Sequence, residues 1–509
     1  MKPLSGLDGT FLHLETAETP MHVASLHLFE VPGVASVDGR SDGRAFFERI
    51  RRGMARRMAL APVFQRRLAP MPVQFANPVW VHDDAVDLDH HVQYLRLAAP
   101  GTQRELDDTV AHLHAGLLDR SRPLWRLWVI DGLADGHVAY YIQVHHAVLD
   151  GQAGVLLAQA LFDLAADAKP PRPVGTARAP KAAAPGWAAL AAAALRHDAA
   201  QYVKLVRHLP DVARTLASLA GVGGAGGAPG MGQNLAFGPK TALNVPIDAR
   251  RGFATAGVPM ATLEGIARAH EATVNDVVLA LASGTLRRWL RAHGGVPRKP
   301  LIAAMPISLR SAGNTEYTTQ ATMSLVNLHT HVADPAKRLR AIRDAAAAVK
   351  AVARRARGVV PTDFPTIGTP WLLQALAQLY ARSGVTRLVP PIANLVISNV
   401  PGPRQPLYAV GARMATYWPL SIVEHGLGLN LTVMSYAGTM GFGFVTARAA
   451  VPDAHALVEA FDAALAELKG TKRRPPGRPK AAAGGRIRPG DAEMATPARQ
   501  RTRRLQESA

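Results

Sequence analysis

The chain has 509 residues and a mass of 54.1 kDa, enough for two to four domains of ordinary size. At 48% hydrophobic residues and a mean hydropathy of +0.03, its bulk is neither disordered nor fibrous. Cysteine is absent, which removes disulfide scaffolds, thiolate zinc sites and cysteine nucleophiles together and fits a cytosolic protein. The net charge is +20, but residues 471–509 hold eleven Lys/Arg against three acids, so eight of those charges lie in the tail and twelve in the body. That body suits an anionic substrate or a membrane surface at least as well as DNA.

Residues 1–167 form the first predicted domain and mix strand-like alternation with helical periods. The start, Met1-Lys2-Pro3-Leu4-Ser5-Gly6, lacks the apolar core of a signal peptide. Gly39-Arg40-Ser41-Asp42-Gly43 matches GxSxG, yet it lies in a polar, charged loop without the buried strand and packed helix that a nucleophile elbow needs. His82, Asp83, Asp84, Asp87, Asp89, His90 and His91 alternate with Val86, Leu88 and Val92, as in an exposed edge strand, and no metal is expected there.

The sharpest feature follows. A β-rich run, Val138 to Val144, leads into His145-His146-Ala147-Val148-Leu149-Asp150-Gly151. Behind it Val155, Leu157, Ala160, Leu161 and Leu164 mark the apolar side of a helix, with Asp150 placed as its cap. A histidine at such a strand end can take a proton from an alcohol near neutral pH. An aspartate a few residues on can fix the turn, or pair with an arginine and keep the imidazole aligned, and Gly151 permits a tight turn. A structural His pair or a fragment of a metal site is the competing reading. The full HHxxxDG pattern at a strand-to-helix junction argues for function.

Residues 168–240 turn to Pro, Ala and Gly and read as a partly helical linker. Within it Tyr202, Leu205, Val206, Leu209, Val212, Leu216 and Leu219 fall at helical spacing among Lys204, Arg207, His208 and Arg214, with Pro210 as a kink. Such a basic amphipathic helix either packs between domains or lies on a membrane. Its neighbour, the uncharged stretch Thr215 to Pro239, is too rich in glycine for a spanning helix. Residues 241–469 form a second predicted domain with a helix over Val274 to Leu290 and a hairpin within 426–445 turning at Ala437-Gly438. Residues 470–509 are a basic tail predicted to be disordered. Its single Gly477-Arg478-Pro479 core is too degenerate an AT-hook to argue for nucleic acid.

HHxxxDG resembles the signature of the CoA-dependent acyltransferase superfamily, and within it the chain is most similar to the bacterial wax ester synthase/diacylglycerol acyltransferase family. The similarity runs from the N-terminus to about residue 468 and rests on several motifs in order: Pro3-Leu4-Ser5-Gly6-Leu7-Asp8, Pro20-Met21-His22-Val23, Leu118 to Trp125 with its Pro123-Leu124-Trp125 element, Asn275-Asp276, and Ser398-Asn399-Val400-Pro401-Gly402-Pro403. The resemblance implies an α/β fold of two chloramphenicol-acetyltransferase-like domains around a central cleft or tunnel. It implies direct attack of a diacylglycerol or long-chain alcohol hydroxyl on an acyl-CoA thioester, giving triacylglycerol or wax ester. His146 would be the general base, His145, Asp150 and Gly151 architectural, and Asn275 an oxyanion donor. Asp276 would support the fold, and Pro123, Leu124 and Trp125 would bind substrate or pack the core.

No cofactor is implied, acyl-CoA being a substrate. The expected setting is cytoplasmic, against the inner face of a membrane or lipid inclusions. Departures from the family pattern are small: Leu149 replaces a usual Val, and Gln152 a usual apolar residue. Two alternatives stay open. One is a glycerolipid acyltransferase of the HxxxxD type, which His145 and Asp150 also satisfy. The other is a non-catalytic basic protein binding lipid or nucleic acid on the same scaffold.

Overall fold

The computed structural model describes residues 2–32, 36–37, 40–41, 43–69, 76–148, 153–169, 237–308, 321–355, 370–375 and 390–471, with scattered positions between 186 and 207. Its first half carries β1 (Lys2–Pro3), α1 (Gly6–Leu14), β2 (His22–Glu30), β3 (Ser36–Val37), β4 (Arg40–Ser41), α2 (Arg44–Arg57), β5 (Arg66–Ala69), β6 (Val79–His82), α3 (Leu88–His91), β7 (Val92–Arg96), α4 (Gln103–His114), β8 (Trp125–Asp131), β9 (Val138–His145) and α5 (Ala153–Leu161). The second half carries β10 (Arg251–Pro259), α6 (Met260–Ala269), α7 (Val274–Ala292), β11 (Ile302–Ser308), β12 (Ala321–Asn327), α8 (Pro335–Arg355), β13 (Leu395–Val400), β14 (Tyr408–Ala409), β15 (Ala412–Leu420), β16 (Leu429–Tyr436), β17 (Thr439–Ala447) and α9 (His455–Lys469). The tail from Lys472 on, Gly39 and Asp42 of the GxSxG match and most of the linker helix lie outside the described residues.

Two six-stranded sheets organise the molecule, ordered β14-β15-β2-β9-β8-β7 and β10-β17-β16-β13-β11-β12. Both are mixed: β7 runs parallel to β8, and β13 runs parallel to β11 and to β16. β9 is buried along its whole length, and its continuous apolar character is that of a strand covered on both faces. Phe29, Tyr140 and Trp125 lie in the core on one face of the first sheet; Leu26, Tyr141 and Trp128 lie in the core on the other. In the second sheet's core, Phe442 meets Phe461 of α9 at a tilt and Phe444 meets it edge-on, beside the buried length of α7.

The strand pairing crosses the linker. β15 comes from late in the chain yet pairs antiparallel with β2, from Arg413 opposite Glu30 to Leu420 opposite Ala24. There it also lies against β17 of the other sheet at very close range. A Cβ added to Gly441 would stand 2.3 Å from the Tyr417 carbonyl oxygen, and one at Gly443 1.9 Å from that of Pro419. The alternating glycines of Met440-Gly441-Phe442-Gly443-Phe444 are therefore the condition for the two sheets to meet. The expected hairpin is present, β16 turning into β17 at Ala437 and Gly438, both at positive φ as a type I′ turn requires.

One expectation is corrected. Leu88–His91 is a helical turn rather than an edge strand, because the Asp87 carboxylate accepts the Asp89 and His90 amides and caps it. Among the described residues no three His, Asp or Glu side chains are grouped to hold a metal, and no helix is long and apolar enough to cross a membrane.

Gly443→Ala is expected to lower the unfolding free energy by roughly 2–3 kcal/mol, since the new methyl meets main chain that cannot swing aside. Gly438→Ala, with open space around its Cβ, tests turn strain alone. A denaturant titration in which Gly443→Ala matched wild type would show that the sheets do not depend on this approach.

Candidate active site

His145 ends β9, and His146 begins a single 3-10 turn, His146–Val148. Flanking strands hold both backbones. The His145 amide donates to the Leu124 carbonyl at 3.0 Å, and the His146 amide to the Met21 carbonyl at 2.9 Å. The side chains then separate by role.

His145 is fully buried. Its Nδ1 accepts the Ala147 amide at 3.0 Å, so the ring proton sits on Nε2, which lies 3.3 Å from Glu15 Oε1. Glu15 is the C-cap residue of α1, and its carboxylate is 2% exposed. Burial pushes this acid up, but the combined pull of His145, the Met21 amide and Arg120 wins, leaving it at about 2. The Met21 amide donates to Oε1 at 3.0 Å, and Arg120 donates to Oε2 from Nε at 3.2 Å and from Nη2 at 2.8 Å. A third Arg120 bond, to the Leu12 carbonyl at 2.6 Å, ties the same guanidinium to α1.

His146 is half-buried, its ring stacked on Phe11 of α1 with centroids 3.9 Å apart. Burial, and to a smaller extent the neighbouring His145, lower its pKa to about 4, so the imidazole is neutral at physiological pH. Nδ1 is buried without a well-aligned partner among the described residues, and the polar group acting on the ring is the residue's own backbone carbonyl. Behind the pair, His22 lies opposite His145 in the β2–β9 ladder, its Nε2 2.6 Å from the His114 carbonyl, while His114 Nδ1 lies 2.9 Å from the Tyr141 hydroxyl. Burial takes His22 down to about 4 and His114 well below the usual range.

The other predicted residues divide. Pro123, Leu124 and Trp125 are buried: Leu124 anchors His145, and the Trp125 ring stacks on His91 while its Nε1 donates to the Phe64 carbonyl at 3.2 Å. Asn275 and Asp276 open α7, in the other half of the chain, and no hydrogen bond or ion pair joins them to either histidine. Asp276 completes a capping box with Thr273, accepting its amide at 2.8 Å and its hydroxyl at 2.7 Å. Asn275 Oδ1 accepts Asn399 Nδ2 at 3.1 Å, which brings the two motifs together and leaves the Asn275 Nδ2 hydrogens for another acceptor. Asp150 and Gly151 lie outside the described residues.

Comparison with known proteins decides the family. A model of the wax ester synthase/diacylglycerol acyltransferase catalytic domain matches residues 4–278, and one of the C-terminal domain of the same family matches residues 318–469. The chain belongs to the wax ester synthase/diacylglycerol acyltransferase family. It is 34% identical over 477 residues to a putative diacylglycerol O-acyltransferase of Mycobacterium tuberculosis, covering 92% of this chain and 90% of that one. It is 32% identical over 461 residues to the O-acyltransferase WSD of Acinetobacter baylyi, covering 89% and 93%. Among solved structures, the wax ester synthase/diacylglycerol acyltransferase of Marinobacter aquaeolei superposes with a TM-score of 0.65 at 28% identity, over 92% of this chain and 99% of that one. A condensation domain of the calcium-dependent antibiotic synthetase shares the fold, with a TM-score of 0.52 at 17% identity, over 93% and 97%.

The acid limb of stability tests Glu15. Its carboxyl is depressed from 4.5 to about 2, so its stabilisation is complete above about pH 4.5 and is lost as pH falls toward 2. The magnitude is about 3 kcal/mol. Glu15→Gln is expected to be less stable at pH 7 and to lose that part of the acid slope, as read by denaturant midpoints at a series of pH values. Parallel curves for the two proteins would remove Glu15 from this role.

Proposed function

We propose that the protein transfers a long-chain acyl group from acyl-CoA to the hydroxyl of a diacylglycerol or long-chain alcohol, with His146 as general base. Family membership supplies the reaction class. The observation that supports the assignment of the base is the contrast between the two histidines. His145 is enclosed, engaged at Nδ1 by the Ala147 amide and facing the Glu15 carboxylate through Nε2, whereas His146 keeps accessible surface, is neutral, and is steadied by Phe11 stacking.

A proton on His146 Nδ1, turned to the residue's own carbonyl, leaves the Nε2 lone pair for the acceptor hydroxyl. As the base takes that proton, the hydroxyl oxygen bonds to the thioester carbonyl carbon and the carbonyl oxygen gains charge. Collapse of the tetrahedral species breaks the C–S bond, and the proton on His146 passes to the departing thiolate. Asn275 Nδ2, freed by the Asn399 contact, is our candidate donor to the oxyanion. No enzyme nucleophile is needed, in keeping with a chain without cysteine. We further infer that the basic body meets its lipid acceptor at a membrane or inclusion surface, a reading supported by its surplus of positive charge.

His146→Ala is expected to lower kcat/KM by about 10²–10⁴, measured as thiol release from palmitoyl-CoA with hexadecanol or a diacylglycerol. The acid limb of wild-type kcat/KM should fall near pH 4 rather than 6.5, because activity requires the neutral ring. Full activity in His146→Ala would sink the assignment of the base. Silence of wild type with every acceptor would sink the reaction.

A further inference from the structure

A base that takes a proton becomes a cation, and the surroundings of His146 offer little to hold one. Burial disfavours the charged ring, and His145 beside it in the chain works in the same direction. Among the described residues no carboxylate pairs with His146. The titratable groups on the elements packed around it are engaged elsewhere. Glu15 is bonded by the Met21 amide and Arg120 and faces His145. His13 meets Asn77 at 2.8 Å, Asp8 accepts the Ser5 hydroxyl at 2.6 Å, and Arg122 pairs with Asp87 at 3.0 Å.

One group in direct contact with the ring answers this need. Phe11 lies on His146 with centroids 3.9 Å apart and planes 21° from parallel, the shortest ring separation among the described residues. Neutral aromatic pairs settle at roughly 4.5–7 Å, offset or edge-on, because two electron-rich faces repel each other. Close face-to-face overlap becomes attractive when one ring turns cationic, since the negative face of the phenyl ring then lies against positive charge. The geometry therefore suits the protonated imidazole better than the neutral one.

The helix leaves Phe11 no other place. α1 begins at Ser5, whose hydroxyl accepts the Asp8 amide at 3.1 Å. Leu12 is buried in one cluster with Leu124 and Ala147, and Arg120 holds the Leu12 carbonyl. Phe11 and Glu15 are four residues apart, about one helical turn. One side of α1 thus presents the phenyl ring to His146 and the carboxylate to His145. Packing alone asks only for an apolar residue at position 11; contact with a charged ring asks for an aromatic face.

We propose that Phe11 is a positioning residue for acyl transfer, fixing the plane of the His146 ring and stabilising the imidazolium formed as the acceptor hydroxyl gives up its proton. This rests on the acyl-transfer reading, in which His146 is the base. The imidazolium exists only after the substrates are bound, so the contact acts on kcat and leaves KM alone. Its expected contribution is about threefold to tenfold in kcat.

The test replaces Phe11 in the full chain by 4-fluoro-, 3,5-difluoro- and 3,4,5-trifluorophenylalanine, which keep the ring and its packing while withdrawing electron density from its face. With palmitoyl-CoA and hexadecanol or a diacylglycerol, kcat should fall stepwise along the series to about threefold to tenfold below wild type, with KM unchanged. Equal kcat across the series overturns the proposal. The protonation midpoint of His146, read by NMR of ring-labelled histidine and assigned by its loss in His146→Ala, needs no substrate. The phenyl face favours the charged ring, so the trifluoro protein should titrate lower than wild type by about half to one pH unit. If wild type turns over no acceptor, this midpoint alone decides. A downward shift then upholds the contact with the charged ring, and equal midpoints remove it.

Discussion

The end of the first sheet that carries His145 and His146 is held together by one buried carboxylate. Glu15 takes an N–H from the Met21 backbone just ahead of β2 and from Arg120 in the segment leading to β8, and its Oε1 lies 3.3 Å from the His145 Nε2 at the end of β9. Three stretches far apart in sequence thus converge on two oxygens. A buried carboxylate is costly unless paired and hydrogen-bonded, and here the pairing is complete enough to keep the acid ionised far below its ordinary range. With Glu15 charged, the proton of His145 belongs on Nε2, Nδ1 is left to accept the Ala147 amide, and the turn that presents His146 follows. Phe11, on the helix that Glu15 caps, then lies flat on the His146 ring.

The same sheet end buries several further imidazoles in neutral form. His22 and His91 each place a ring nitrogen against a backbone carbonyl, and His114 and His27 each against a hydroxyl. Desolvation lowers all four, which keeps extra positive charge away from His146. The lobes are also linked by polar contacts around α4: His455 with Asp107 at 3.2 Å, Arg104 with Asp453 at 3.0 Å, and Arg448 with Asp108 at 3.3 Å. Asp107 is the buried member, and burial raises its pKa despite the His455 partner.

What the sequence disclosed follows from how local each signal is. The two histidines could be read because a continuous apolar strand ends at them, and the 437–438 turn because small residues with positive φ are needed between two alternating runs. The helix opening at Asn275-Asp276 was visible as a period. Glu15 belongs to a stretch with no spacing of its own, and Arg120 is legible only as a member of the Leu118 to Trp125 motif; their pairing arises from a contact 105 residues apart in the chain. Asn275 could be named from a motif, yet its pairing with Asn399 depends on the separate placement of α7 and β13. The Asp87 cap overrode an alternating pattern that spelled a strand. The partnership of β15 with β2 has no sequence signature, since an edge strand of either sheet carries the same alternation.

That partnership bears on how the molecule is made. Until residue 420 has left the ribosome, β2 has β9 on one side and an unpaired row of amides and carbonyls on the other. The N-terminal half cannot close its own sheet, so it must wait, partly assembled, through the synthesis of the linker and most of the second half. When β15 arrives it seals that edge, and β17, made soon after, packs against it. The two halves are therefore successive in sequence but joint in completion, and a nascent chain stalled in the second half would present a sticky strand edge next to its own histidine pair.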